Sequence, residues 1–94
     1  MADLTARALT VSVVSADREV WAGQARQLIA KTTVGEIGIL AGHEPILAIL
    51  APGQVRVTTV DGQLVTATAE DGFLSVEHDT VTIVARNAEL LDQA

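Results

Sequence analysis

The sequence predicts an all-β domain, either a sandwich or a barrel, built from about nine or ten short strands. Its hydrophobic content of 49% is largely aliphatic, since Trp21 and Phe73 are the only aromatic residues. Val, Ile and Thr are abundant, and β-branched side chains fit a pleated sheet better than a helix. Apolar and polar residues alternate in short runs, and turn signals recur about every eight to twelve residues. With a length of 94 residues, these features indicate one domain.

The first half of the chain contains four strand-like runs. Leu9, Val11 and Val13 alternate with polar neighbours, which is the period of a half-buried strand. Three charged residues at 17–19 end this run, and Gly23 ends a short second one. Two cations interrupt the third run, and glycines flank the fourth. In order, the predicted strands are Leu9–Val13, Val20–Trp21, Ala25–Thr32 and Ile37–Leu40.

The second half predicts five further strands. Ile46–Leu50 is apolar throughout, and the prolines on both sides leave no room for a longer helix, so we assign it to a strand. Asp61-Gly62 is typical of a two-residue hairpin turn between alternating runs. In order, the predicted strands are Ile46–Leu50, Val55–Thr59, Val65–Ala69, Phe73–Val76 and Val81–Ala85.

Only the tail departs from this pattern. Asn87 can cap a helix whose first turn holds Glu89, with Leu90 and Leu91 as its apolar residues. The chain stops soon afterwards, before an isolated helix could be stable. The sequence therefore predicts a β-sandwich domain over residues 1–86 and the start of a C-terminal helical region over residues 87–94.

Composition argues against several classes of function. Twelve acidic against six basic side chains leave a formal net charge of −6, which disfavours nucleic-acid binding. The chain has no cysteine, which excludes disulfides and thiolate metal sites. Its first seven residues lack the cationic start and apolar run of a signal peptide. Its longest uncharged stretch, Pro45–Val55, is shorter than the roughly 20 residues of a membrane helix. We therefore expect a soluble intracellular domain without direct membrane insertion.

Candidate catalytic and metal-binding groups are sparse. His43 and His78 could meet at a metal ion with the carboxylates that follow them, but their spacing does not preorganise ligands. The serines lie in strand patterns and lack a nucleophile elbow. Residues 35–42 are rich in glycine, yet no Lys-Ser or Lys-Thr follows, and Glu36 would repel phosphate. We expect no catalytic residue, metal or cofactor.

Lys31 raises an alternative of a different class. Small acidic β domains include lipoyl and biotinyl carriers, in which a lysine at a hairpin tip carries the cofactor. Lys31 lies between Ala30 and Thr32, without the Asp-Lys-Ala or Met-Lys-Met context of those families. A charged residue that protects a strand edge is the simpler interpretation. An unrelated small β binding module is a third possibility.

The segment Gly35–Leu47 resembles the signature of the epsilon subunit of bacterial F-type ATP synthases, the counterpart of mitochondrial delta. The family pattern is Gly-Glu-hydrophobic-Gly-hydrophobic, three further residues, His-x-Pro and two hydrophobic residues, which this segment follows. Asp71 stands where the family has the first of two glycines. The resemblance covers residues 9–89, and its other matching segments are Val13–Asp17, Trp21–Gly23, Gly72–Val76 and Val81–Ala85.

The resemblance implies a flattened β-sandwich at the foot of the central stalk. Such a subunit is a non-catalytic part of the rotor that joins the gamma subunit to the membrane c-ring and couples proton flow to ATP synthesis. It lies at the cytoplasmic face of the bacterial cell membrane. The resemblance further implies that Ser15 and His43 lie toward gamma. It implies that one loop faces the c-ring, namely Thr33, Val34, Gly35 and Glu36.

Within that loop, Glu36 would accept hydrogen bonds or pair with a polar or cationic residue of the ring. A surface ion pair contributes at most about 1 kcal/mol, so apolar area shared with gamma should supply most of the affinity. Family members normally continue into a C-terminal helical hairpin, which in some binds ATP or restrains rotation. The sequence matches only its expected start, so the resemblance implies neither ATP sensing nor autoinhibition for this chain.

Overall fold

The computed structural model describes residues 8–42 and 44–91, and the regular structure of these residues consists of strands only. The predicted all-β class is confirmed. The predicted number of about ten short strands is wrong, because several runs that the sequence separates are joined into longer strands. The six strands are β1 (Leu9–Ser15), β2 (Arg18–Thr32), β3 (Gly35–Leu40), β4 (Ile46–Thr59), β5 (Leu64–Glu77) and β6 (Thr80–Leu90).

Hydrogen bonds join the strands in the order β1-β6-β5-β4-β2-β3, and a β1–β2 pairing closes the first five into a ring. All neighbours are antiparallel except β1 and β6. The register of these pairs divides the long strands between two layers of a flattened body of 41 × 31 × 23 Å. Layer one contains residues 9–15, 18–25, 46–49, 72–77 and 80–85, and layer two contains residues 25–32, 35–40, 53–59, 64–70 and 86–90.

Strands β4 and β5 pass from one layer to the other at irregular points. In β4, Leu50 pairs with Thr32 but Val55 already pairs with Ala30, so the residues between them bulge out of the β2 ladder. Pro52 lies in this bulge, where its missing N–H leaves no ladder bond unmade. The strand therefore continues through a proline that the sequence analysis treats as its end.

In β5, the corresponding point is Asp71-Gly72. Asp71 has a φ of 58°, in the left-handed region that favours glycine. Gly72 is packed so closely against β6 that a Cβ there would lie 1.8 Å from the carbonyl oxygen of Val84. The backbone of β5 therefore bends where β6 leaves no room for a side chain.

The C-terminal helix predicted from Asn87 is wrong for the described residues. Asn87 to Leu90 form the last part of β6 and pair with β5 from Glu70 back to Ala67. Pairing with β5 satisfies the backbone N–H and C=O groups of these residues, whereas a helix this short would be only marginally stable. Residues 92–94 lie outside the described part of the chain, and the division at residues 86 and 87 stays a prediction.

The β4–β5 hairpin is confirmed, but its turn is longer than two residues. The strands are separated by residues 60–63, and Thr59 organises this turn. The Thr59 hydroxyl accepts a hydrogen bond from the Gln63 N–H at 3.0 Å and donates one to the Asp61 carboxylate. Gly62 supplies the positive φ of 91° that closes the turn.

The core lies between the two layers and is aliphatic, as the composition predicts. Alternate residues of the strands point inward, which agrees with the period-two patterns in the sequence. Trp21 packs at the margin of this core over Gly23, where a Cβ would lie 2.8 Å from its ring. The largest buried side chains are Leu9, Val11, Val13, Leu28, Ile39, Val55, Val57, Leu74, Val76, Val81 and Ile83.

Candidate docking surface

The loop predicted to face the c-ring is the turn between β2 and β3. Val34 is 94% exposed at its tip, and Gly35 has a φ of 121° that L side chains rarely adopt. The hydroxyl of buried Thr32 accepts a hydrogen bond from Val34 N at 3.2 Å and donates one to Gly35 O at 2.7 Å. Thr33 N donates to Ile49 O at 3.0 Å, which ties the turn to β4. The turn is therefore a braced projection.

Glu36 lies on the outer face of layer two, beside this turn. Its carboxylate accepts a hydrogen bond from Arg56 of β4 at 3.1 Å, and both side chains are substantially exposed. Lys31 is the direct cross-strand neighbour of Glu36. Arg56 is a residue that the sequence analysis did not assign to the site. No local pattern signals it, because the pair joins positions 20 residues apart.

An apolar patch occupies the outer face of layer one. It consists of Leu47 (69% exposed), Ile49 (58%) and Phe73 (39%). Ile49 and Phe73 are direct cross-strand partners, so their side chains lie on the same face. Half-buried Val84 and Val14 continue this row across β6 and β1. The row therefore crosses four strands of one sheet face.

The sequence analysis did not single out this apolar patch. Uninterrupted apolar runs such as 46–50 do not say which alternate residues face the core. Phe73 also belongs to a run that is easily assigned to the core. Exposure of clustered large apolar side chains is the feature that marks a docking surface, and it is visible only in the fold.

Of the two residues predicted to lie toward gamma, the structure describes Ser15. Ser15 is only 8% exposed, and its single hydroxyl proton is shared between two acceptors within the β1–β2 turn, the Asp17 carboxylate at 3.2 Å and the Arg18 carbonyl at 3.4 Å. Ser15 also lines an open groove of about 1080 Å³ whose lining is both polar and apolar. His43 lies outside the described residues.

The segments that carry these two residues lie at opposite ends of layer one. Gly42, next to His43, donates a hydrogen bond from its N–H to the Asp79 carboxylate at 2.6 Å, in the β5–β6 turn. Strand β1 begins beside that turn, because Thr10 pairs with Thr80, and it runs away from there toward Ser15. The apolar patch lies between the two ends.

The turn of Val34 adjoins the same patch through the Thr33–Ile49 hydrogen bond. Ser15 adjoins it through Val14, the preceding residue. Two predicted contact segments therefore border one apolar area that local sequence patterns do not identify.

The remaining candidates do not form a reaction centre in the described residues. No group of three or more histidine or acidic side chains within residues 8–42 and 44–91 is placed to hold a metal ion. Lys31 lies within β2, paired with Glu36, and its aliphatic stem runs beside Gly53. This is not the hairpin tip from which carrier lysines extend.

Nowhere in residues 8–42 and 44–91 does the chain form a helix with the length and hydropathy of a membrane span.

A two-layer β body with an exposed apolar face and a braced projecting turn has the features of a domain that docks on other proteins. The model of the family "ATP synthase, Delta/Epsilon chain, beta-sandwich domain" matches residues 8–91. The chain belongs to this family of ATP synthase subunits. As a member of it, the chain is a non-catalytic accessory component of the synthase.

Individual relatives agree with this assignment. The ATP synthase epsilon chain of Micrococcus luteus is 52% identical over 86 residues, which cover 92% of this chain and 94% of the relative. The epsilon chain of Streptomyces avermitilis is 42% identical over 85 residues, which cover 90% of this chain and 68% of the relative.

Solved structures with the same fold come from mitochondrial ATP synthases. A chain of the Euglena gracilis OSCP/F1/c-ring assembly superposes with a TM-score of 0.83 at 26% identity. The match covers 90% of this chain and 56% of that one, so this chain spans little more than half of it. A chain of the Tetrahymena thermophila central stalk and c-ring gives a TM-score of 0.70 at 17% identity, covering 87% and 66%, and shows the fold alone.

Proposed function

We propose that the chain is a rotor subunit that joins the gamma subunit to the c-ring and so couples proton flow to ATP synthesis. It would act at the cytoplasmic face of the bacterial cell membrane, without a cofactor. The observation that carries this proposal is the presence of two different docking features on one stiff body. One is the apolar patch of Leu47, Ile49 and Phe73, and the other is the braced β2–β3 turn.

The apolar patch supports the gamma contact. Burying large exposed apolar side chains stabilises a complex by about 25 cal/mol for each Å² removed from water, whereas exposed ion pairs contribute little. Phe73 is the type of aromatic residue that serves as an interface anchor. Ser15, which adjoins this patch through Val14, and His43 remain predicted gamma contacts. Because Ser15 is largely buried, it would contribute through its backbone and its neighbour Val14.

The β2–β3 turn supports the c-ring contact. Thr33, Val34, Gly35 and Glu36 are all exposed on a projection whose backbone is held by three hydrogen bonds. A rigid projection transmits torque without first bending, because packed β layers deform little. We propose that these four residues rest on the polar loops of the c-ring.

The gamma contact is tested with a matched pair of substitutions. Ile49 and Leu40 are equally exposed at 58%, but Ile49 belongs to the apolar patch and Leu40 lies at the end of β3 on layer two. Ile49→Asp would bury an unpaired charge in the complex and should weaken binding to purified gamma at least about 30-fold. Leu40→Asp should change binding less than about twofold, because surface changes outside an interface have small effects.

The binding measurement is titration calorimetry, with thermal unfolding of both variants as the check on folding. Equal weakening by the two substitutions, or no weakening by Ile49→Asp, would contradict the assignment of gamma to the apolar patch. Absence of measurable binding between the unsubstituted chain and gamma would contradict the rotor proposal as a whole.

A further inference from the structure

A single buried hydroxyl bonds twice to the β2–β3 turn, in addition to the strand pairing of Thr32 with Gly35. Thr32 is 3% exposed at the end of β2, and its Oγ1 bonds two successive residues of the turn above it. It accepts from Val34 N at 3.2 Å and donates to Gly35 O at 2.7 Å. One side chain therefore fixes both peptide groups that flank the tip.

Packing does not hold the tip in the way that it holds the strands. Val34 is 94% exposed, and a Cβ built on Gly35 would meet no atom within 4 Å. Gly35 also has a φ of 121°, a conformation that glycine can leave at little cost. Without the Thr32 hydroxyl, the segment 33–35 would keep only the Thr33–Ile49 bond among these three bracing bonds. It would then sample several conformations.

We infer that Thr32 is the positioning residue of the docking turn, which sets the orientation in which Val34 and Gly35 meet the c-ring. The inference rests on the proposed function, because it takes the turn as the surface that docks. A turn that is ordered before binding loses less conformational freedom on binding, and affinity falls in proportion to the population of the competent conformer. Thr32 itself does not touch the partner.

Two substitutions at residue 32 separate the hydroxyl from the shape of the side chain. Thr32→Val keeps the branched shape in the core and removes both hydrogen bonds. Val34 N and Gly35 O lie on an exposed turn, where water can replace the lost partner, so the fold should remain intact. Thr32→Ser keeps the hydroxyl, removes one methyl group and should restore the turn.

The experiment uses the full chain and purified, detergent-solubilised c-ring. Hydrogen exchange at the Val34 amide reports the order of the free turn, and surface-immobilised c-ring reports affinity. In Thr32→Val we expect exchange at Val34 to accelerate at least about fivefold and affinity to fall about five- to tenfold. In Thr32→Ser both quantities should stay within about twofold of the unsubstituted chain.

Faster exchange in Thr32→Val with unchanged affinity would overturn the inference and leave the proposed function standing. Unchanged exchange would overturn it too, since the hydroxyl would then not hold the turn. Val34→Asp tests the docking surface independently. If neither Val34→Asp nor Thr32→Val alters affinity for the c-ring, the assignment of this turn to the ring is wrong, and the inference is withdrawn with it.

Discussion

The two outer faces of the sandwich share strands β2, β4, β5 and β6 and differ in their chemistry. On layer one, β4 and β5 present Leu47, Ile49 and Phe73 to solvent. On layer two, later residues of β4 present Arg56 and Thr58, which pair with Thr66 and Leu64 of β5. The exposed Leu64 and Leu40 on this layer are separated by Thr58 and Gln27. The inner residues of both layers are aliphatic, as the core requires.

The difference between the two faces distinguishes residues that folding constrains from residues that binding constrains. Folding constrains the alternate residues that face the core and leaves the outward ones free to be polar. An outward row that stays apolar across four strands therefore has a cause outside the isolated domain, and a partner that covers it is such a cause. Among the described residues, the outer face of layer two shows no such continuous apolar row.

The largest effect is expected from a substitution at the bend of β5, where this strand passes from one layer to the other. Gly72→Ala would place a Cβ 1.8 Å from Val84 O and 2.5 Å from Ala85 Cα, both backbone atoms that cannot move aside cheaply. We expect a loss of about 3 kcal/mol or more in the free energy of unfolding, or failure to fold. Urea unfolding followed by circular dichroism measures it.

Gly38→Ala is the matched control for this substitution. Gly38 also lies within a strand, but a Cβ there would meet nothing within 4 Å, and its φ is not in the left-handed region. The free energy of unfolding should be unchanged or higher by up to about 1 kcal/mol. A Gly72→Ala variant as stable as Gly38→Ala would show that the bend of β5 tolerates a side chain.

Local patterns predicted the parts of this molecule that depend on local chemistry. Alternation identified the inward rows of β1, β4 and β6, and Asp61-Gly62 located the β4–β5 hairpin. The glycine-to-proline segment beginning at Gly35 identified the family, although Asp71 replaces a family glycine at a position with a φ of 58°.

Features that depend on long-range pairing were missed. The strand through Pro52 continues because β4 bulges away from β2 there, and the segment from Asn87 stays extended because β5 pairs with it. The Arg56–Glu36 pair and the apolar patch join residues that are distant in sequence. None of these has a signature within a short window, because each is decided by which strands become neighbours.

A smaller effect is expected from charge on the polar face. Glu36→Lys and Arg56→Glu each place like charges together and should lower the free energy of unfolding by about 0.5 kcal/mol, and the double exchange should restore it. For docking to the c-ring the outcomes should differ. Glu36→Lys should weaken binding a few-fold, and the double exchange should not restore it if Glu36 touches the ring.

The double-mutant comparison therefore shows whether the Glu36 carboxylate contacts the c-ring directly or only pairs with Arg56. Binding is measured to purified c-ring at low and at high salt, since exposed charge pairs are screened by salt. Full recovery of binding in the double exchange would mean that Glu36 acts only through Arg56. The polar face would then have no direct part in docking.

The smallest effect concerns acid at the β4–β5 turn. The Thr59 hydroxyl beside Asp61, together with the backbone N–H groups of Asp61 and Gln63, lowers the pKa of this carboxyl below its ordinary value of 3.8. A lowered pKa means that the folded turn favours the ionised form, so its stabilising contribution is present above about pH 3.8 and is lost as the pH falls further. Protection of the Gln63 amide, measured as its exchange rate relative to the intrinsic rate at the same pH, should fall over that range.

The apolar patch carries no ionisable side chain, so amides of Ile49 and Phe73 should show no matching step in acid. Asp61→Asn keeps the shape of the side chain without the charge, and it should abolish the step at Gln63. A step of equal size in Asp61→Asn would assign the effect to other carboxylates. If the step disappears in Asp61→Asn, the acid sensitivity at Gln63 belongs to the Asp61 carboxylate of this turn.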